Sequence, residues 1–492
     1  MNTGIRYEYF APIHNKGEEL NLPVLGPPGA ELSGATLVPH NNFFNPDYTG
    51  VTPKVGFAYV LPVDHGNMVV RGGVARAMNR LNFSIFDNAV EDGPGYFNYG
   101  LCCGTAPGDF ASPFAGGTIQ YSLGTSNSPT SFPINPALKT PIVNNLPVGT
   151  QIEVYGAPPR VKTPYAYLYS LEVQTELRYN MVLTIGFQGS EAHHLPRLVD
   201  QNFLYSTVGS PFTAAYFAQT DSNSNYSGAN VRISKTMRHG FLLDATYTYS
   251  KSLDQISNGA GADSLANQTN PAFNSTEWGP SDYDDRHRIT ASGLWTIPGT
   301  RNGNEIARLL TNGWQINGIY TFHTGFPFTP VVTNVNSNPY VENAGTISPV
   351  RPYGYGGGFV SSCSNSNYVT GNDVKNTIFV AGPPTGVAYN PGIGRNSFSG
   401  PCYTDTDLSL AREQKVTIHE HNITLRFQAN LFNAFNQLNL VPFTNGNAGG
   451  PAQIVGDVPD SGTVTTRTDS QFGKPTGADA GRTIEFFGRV NF

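Results

Sequence analysis

The chain of 492 residues carries a formal net charge of −6 and only 13% charged residues, but holds 25 Tyr, 30 Phe, 54 Gly and 37 Pro. That balance excludes the clustered basic face of a nucleic-acid-binding protein, and without a long amphipathic helical window it excludes a soluble α/β enzyme. No apolar run approaches the roughly 18 to 20 residues of a transmembrane helix.

Taken in chain order, alternation with period two marks about 12 strands. They lie near residues 3–10, 53–60, 67–77, 165–177, 181–190, 227–236, 240–252, 287–297, 313–324, 405–412, 421–433 and 482–492. In the fourth, Tyr165, Tyr167, Tyr169, Leu171 and Val173 oppose Ser170, Glu172 and Gln174. In the seventh, Phe241, Leu243, Ala245, Tyr247 and Tyr249 oppose Asp244, Thr246, Thr248 and Ser250. Trp314, Ile316, Gly318, Tyr320 and Phe322 oppose Gln315, Asn317, Thr321 and His323. The split over Ile423–Leu431 is complete, and in the last strand only Phe487 breaks it. Asn304–Leu310 is the best helical window, and it is short.

The connections alternate short and long. Residues 61–66, 178–180, 237–239, 298–312 and 413–420 are short. Residues 11–52, 78–164, 191–226, 253–286, 325–404 and 434–481 are long and rich in Gly, Pro, Asn, Ser and Tyr. A second face bearing Arg, Glu, Asp and Gln cannot be a dry core, but it can line a wet lumen. The expected fold is therefore all-β: an antiparallel transmembrane outer-membrane β-barrel with long extracellular loops and short periplasmic turns. The mean hydropathy of −0.27 fits, because each strand shows lipid only every second residue. Aromatic residues at strand ends, among them Tyr7, Tyr9, Tyr59, Trp295 and Trp314, suit interfacial girdles.

Met1 runs straight into a strand with no leader ahead of it. Export to an outer membrane needs a signal, so the expectation is a fragment or a start further upstream, with the edges of the first and last strands apart. The apolar file ending in Phe486, Val490 and Phe492 is expected to act as an assembly signal for the barrel-insertion machinery.

Candidate chemistry is sparse. The densest charged run, Asp282 to Arg288, lacks the oxygen spacing of a calcium loop and reads as a strand start at the rim, its charges pairing with neighbouring strands. His193 and His194 would point to opposite faces of a strand and so rarely share a metal. No nucleophile elbow, Walker loop or dinucleotide fingerprint is present. No catalytic residue, cofactor or metal site is expected, and the chain reads as a non-enzyme. Cys102, Cys103, Cys363 and Cys402 all fall in loops placed outside the cell, where disulfides persist. Cys363 with Cys402 would staple one loop, and Cys102 with Cys103 would form a vicinal bridge or stay as thiols.

Several segments resemble, in order, the barrel of Oar-like TonB-dependent receptors. They are Gly4–Tyr9, Thr52–Tyr59, Val70–Gly73, Asn230–Lys235, Tyr247–Asp254, Asp282–Arg288, Asn312–Gly318 with Thr324–Phe328, Arg426–Asn436 and Gly481–Phe492. The resemblance covers residues 1–492 as one partial barrel domain. It implies a barrel of about 22 strands, with the family's signal peptide, carboxypeptidase-regulatory-like domain and plug missing from this chain. It further implies uptake of a large, unidentified substrate caught by the external loops, energised by an inner-membrane coupling complex through that missing N-terminal part. The expected surroundings are outer-membrane lipid, with the C-terminus periplasmic. A plug-less structural or adhesive outer-membrane protein is the alternative, and a soluble secreted carbohydrate-binding β-protein is a third reading.

Overall fold

In the computed structural model of the protein, the described residues are 1–14, 20–40, 42–63, 66–81, 152–257, 274–300, 304–329, 393–418, 421–440 and 477–491, with short pieces at 122–123, 131–132, 142–143, 146–147, 331–332, 351, 354–355, 379–382, 453–454 and 462–463. Twelve strands run side by side in chain order: β1 (Asn2–Tyr7), β2 (Val51–Val63), β3 (Gly66–Met78), β4 (Tyr165–Leu177), β5 (Met181–Asp200), β6 (Phe212–Arg238), β7 (Phe241–Asp254), β8 (His287–Thr296), β9 (Trp314–His323), β10 (Tyr403–Ile418), β11 (His421–Phe432) and β12 (Thr483–Asn491). Every neighbouring pair is antiparallel. All twelve sequence-expected strands are present, and among the described residues no helix is long and apolar enough to cross a membrane.

The register explains the alternation. Following direct partners across the sheet, Tyr59, Val70, Val173, Ile185, Val231, Tyr247, Ile289 and Phe322 form one continuous row. One residue along, the row reads Val60, Val69, Gln174, Thr184, Arg232, Thr246, Thr290, Thr321 and Asp405. A slip of one residue in any pair would carry charge onto the apolar face, so the hydrophobic pattern fixes the register. Phe487 partners Gln428 on the polar face, the exception already visible in the sequence.

Short connections are tight for local reasons. His239 (φ 55°) and Gly240 (φ 76°) both take positive φ between Arg238 and Phe241, the geometry of a two-residue hairpin that follows strand twist. Arg238 donates to Asn180 Oδ1 at 2.6 Å and ties this turn to its neighbour. The helical window is real: α1 (Glu305–Thr311) is capped by Asn304, whose side chain accepts from the Ala307 N–H at 2.8 Å.

Three sequence expectations change. The connection at 413–420 shrinks to two residues, because β10 continues to Ile418. The expected loop 191–226 is mostly strand, since β5 has 20 residues and β6 has 27. Its outer part loses alternation because both faces become covered: Arg197–Asp200 and Ala214–Ala218 are buried without interruption. The third change concerns His193 and His194, which do not simply diverge. His194 sits at a bulge with φ 61°, and the ring of Tyr165 meets both imidazoles, at 5.2 and 5.5 Å.

Among the described residues β1 and β12 make no ladder with each other, so the sheet has two open edges. Every described residue of β12 is exposed. Within lipid, each row of unpaired N–H and C=O groups needs partners.

Candidate functional site: a charged wall beneath a folded cap

The polar face of the sheet carries ion pairs and chains of linked polar side chains. Arg71 faces its register partner Glu172 at 3.1 Å and also donates to Gln174. Arg232 sits between Thr184 and Thr246 and holds Asp244 two-handed, with Nε–Oδ2 at 3.0 Å and Nη2–Oδ2 at 2.5 Å. Further round, Arg288, His323 and Tyr403 are successive register partners, and the imidazole stacks on the phenol at 5.1 Å. Arg426, Gln428 and Asn430 chain together through side-chain bonds of 3.1 and 2.7 Å. Small residues at Gly56, Gly73 and Ser170 are direct partners, and they floor a trough of about 610 Å³ bounded by Lys54 and Gln188.

Beyond the wall, at the long-loop end, the extended β5–β6 hairpin supports a small folded cap. Ile152–Gly156 pairs in parallel with the start of β6, and Leu20–Val24 forms a hairpin with Thr36–His40. Two dry clusters result. One gathers Leu32, Leu37, Val154, Phe212 and Ala215, and the other Leu22, Phe43, Val161, Leu198 and Tyr216. Asp200 accepts from the Asn202 and Ala215 N–H groups at 3.0 Å each, and buried Arg197 clasps Asp221 through two 2.7 Å bonds. Sequence reading treated these segments as polar loops. Their apolar residues are scattered over distant stretches and lack a period, so the shared core left no local signal.

Asp47 closes the cap against the rim, accepting from Thr163 N–H at 2.8 Å and from Thr49. Burial pushes its carboxyl upward, but these hydrogen bonds outweigh burial and hold it below its ordinary value of 3.8. A depressed folded-state value means the stabilisation is present above pH 3.8 and is lost as pH falls through the lowered value. Protease nicking of residues 151–164 is therefore expected to rise below that pH in the natural protein. In Asp47→Ala it should be elevated already at neutral pH. Equal acid sensitivity in both proteins would refute the clasp.

The charged run Asp282–Arg288 lies at the start of β8 and reaches the neighbouring β7, an ion partner within the run, and a distant arginine. Asp284 accepts from Ser252 N–H (2.7 Å) and Arg286 (2.7 Å), and Asp282 meets Arg395, which is 113 residues away. Arg395 is the centre of a buried node that the sequence reading missed. Its five N–H groups reach five acceptors: Glu277 O, Ser257 Oγ, Asp282 Oδ1, Asp254 O and the Asp254 carboxylate. Burial pushes the guanidinium down to about 10, still protonated at neutral pH. Arg351 adds a second buried ion pair, to the fully buried Glu277 at 3.0 Å. Beside the node, a cleft of about 390 Å³ is lined by Arg286, His287, Thr324, Asn396 and Ser399.

Cys402 lines the same cleft and is disulfide-bonded, whereas Cys102, Cys103 and Cys363 lie outside the described residues. Phe486 (85% exposed) and Val490 stand on the open edge strand, and Phe492 lies outside the described residues. Among the described residues, no group of three or more His, Cys, Asp or Glu side chains could hold a metal ion. The asparagines of the Leu-Phe-Asn-Ala-Phe-Asn segment have a structural reason. Asn433 (φ 47°) and Asn436 (φ 53°) take left-handed turns, and their side chains bind Gln437 N–H (2.7 Å) and Arg482 N–H (3.0 Å).

Solved structures similar to the chain include the ferric-catecholate import receptor Fiu from E. coli K12 (10% identity, TM-score 0.36, 94% of this chain and 37% of that one). The outer membrane transporter YddB from Escherichia coli has 9% identity and TM-score 0.41, over 93% and 42% of the two chains. The siderophore receptor PiuA from Acinetobacter baumannii has 8% identity and TM-score 0.35, over 93% and 37%. The chain thus spans about two fifths of the length of these receptors. No curated protein matches it. The profile of the outer membrane beta barrel domain matches residues 1–485, and with it a sheet of apolar-out and charged-in strands finds its family: the chain belongs to the outer membrane beta barrel domain family.

Proposed function

We propose that this wall is part of an Oar-like TonB-dependent receptor that catches a large substrate outside the cell and passes it through its lumen. The observation that carries the reading is the polar face: Arg71–Glu172 and Arg232–Asp244 are half-exposed ion pairs lining one side of the sheet. Lipid would not tolerate them, and a wet passage would. The ordered family-like segments support the subtype, and one has a physical reason. In Asn312–Gly318, Gly313 takes φ +82°, and a Cβ there would lie 2.0 Å from Glu413 O, so only glycine fits. The reading assigns the chain no catalytic step and no cofactor. The energy-coupling contact of such a receptor belongs to parts other than the wall.

Deleting the receptor gene and deleting the inner-membrane coupling complex should leave the same compound unconsumed in spent medium. Unchanged consumption together with reduced surface attachment in the receptor mutant would favour the adhesive alternative instead.

The reading also sets orientation, with the long loops outside and the C-terminus in the periplasm. A tag at Asn223, in the outer part of β6, should be reached by impermeant reagent on intact cells, while tags at Asn180 and His239 should not. One inversion within this set would break the topology.

A further inference from the structure

We propose that α1, in the turn between β8 and β9, lies flat in the headgroup–acyl boundary of the periplasmic leaflet and anchors the wall to phospholipid. Ile306, Leu309 and Leu310 fall on one side of the helix, at the i, i+3, i+4 spacing. They are 67%, 50% and 60% exposed, while Ala307 is the more covered position. A helix in water turns such a stripe inward; here the stripe points away from the protein, and leaving it wet forgoes the gain of removing apolar surface from water.

The helix is held to the lipid side of the wall. Trp314 Nε1 donates to Leu310 O at 2.8 Å. Trp314 belongs to the apolar face, in register with Arg412 and Phe427. The stripe is therefore continuous with the lipid-facing band. Cations rim the same end of that band: Arg412 lies 5.4 Å from the Trp314 ring centroid, and Lys235 bends back to the carbonyls of Arg238 and Phe241 at 3.4 Å each. An apolar stripe bordered by tryptophan and cations matches acyl chains bordered by phosphate. A soluble periplasmic partner would not need continuity with the lipid face.

The inference rests on the outer-membrane orientation proposed above, so its test carries a separate control. In the full-length protein in intact cells, p-benzoyl-phenylalanine is placed singly at Leu309, at Arg308 and at the mid-band position Val231, then irradiated. Leu309 should yield phospholipid adducts by mass spectrometry at least as often as Val231, with loss of those adducts at Arg308. Protein adducts at Leu309, or none, alongside lipid adducts at Val231, would overturn the helix anchor and leave the wall intact. Absence of lipid adducts at Val231 would remove the membrane reading, and the anchor with it.

Discussion

Arginine placed at Val231 is expected to destabilise the inserted wall by about 2–4 kcal/mol, although the natural chain already carries an arginine one residue later. Val231 pairs with Ile185 and Tyr247 in the middle of the apolar band. Arg232 pairs with Thr184 and Thr246 on the opposite face and there reaches Asp244. Displacing the charge by one position moves it from water and a carboxylate partner into hydrocarbon. The matched control is Ser234→Arg, whose register partners Val182 and Asp244 lie on the polar face. For the full-length protein in lipid vesicles, the urea midpoint should fall sharply for Val231→Arg and barely for Ser234→Arg, with the slope unchanged in both. Equal losses would mean that the two faces do not see different solvents.

The wall was legible because its two solvents impose a period of two on every strand, and Ile423–Leu431 shows the split without error. The number of strands followed from that signal. What lay outside the membrane was not legible. Leu198 and Val199 are both buried, and so are all of Ala214–Ala218. A strand covered on both sides carries no alternation, so the outer halves of β5 and β6 read as loop. Arg395 was invisible for a different reason: its partners Asp254 and Asp282 are 141 and 113 residues away, and no local pattern joins them. The helical window at 304–310 was seen, but its exposed stripe has meaning only once Trp314 is known to face lipid.

Replacing Arg395 with alanine is expected to cost about 3–5 kcal/mol, felt at the loop ends rather than through the whole wall. The guanidinium joins the end of β7, through Asp254 and Ser257, to the segment before β8, through Glu277 and Asp282. It comes itself from the segment leading to β10. Removing it leaves three acids in the node, Asp254, Asp282 and Glu277, with Arg351 as the ion partner of Glu277 among the described residues. Asp254 is 6% exposed and Glu277 fully buried, so water cannot replace the lost donors without opening the structure. Lysine should recover only part of the loss, because one ammonium has three donors for the five acceptors. Hydrogen exchange on the full-length protein would read the effect. Protection at residues 254–257 and 277–286 should fall strongly in Arg395→Ala and less in Arg395→Lys, while Thr246 and Thr290 in the wall keep theirs. If exchange at the loop segments were unchanged in Arg395→Ala, the node would be a passenger. If the loss spread equally into β7 and β8, the node and the wall would be one cooperative unit instead of two.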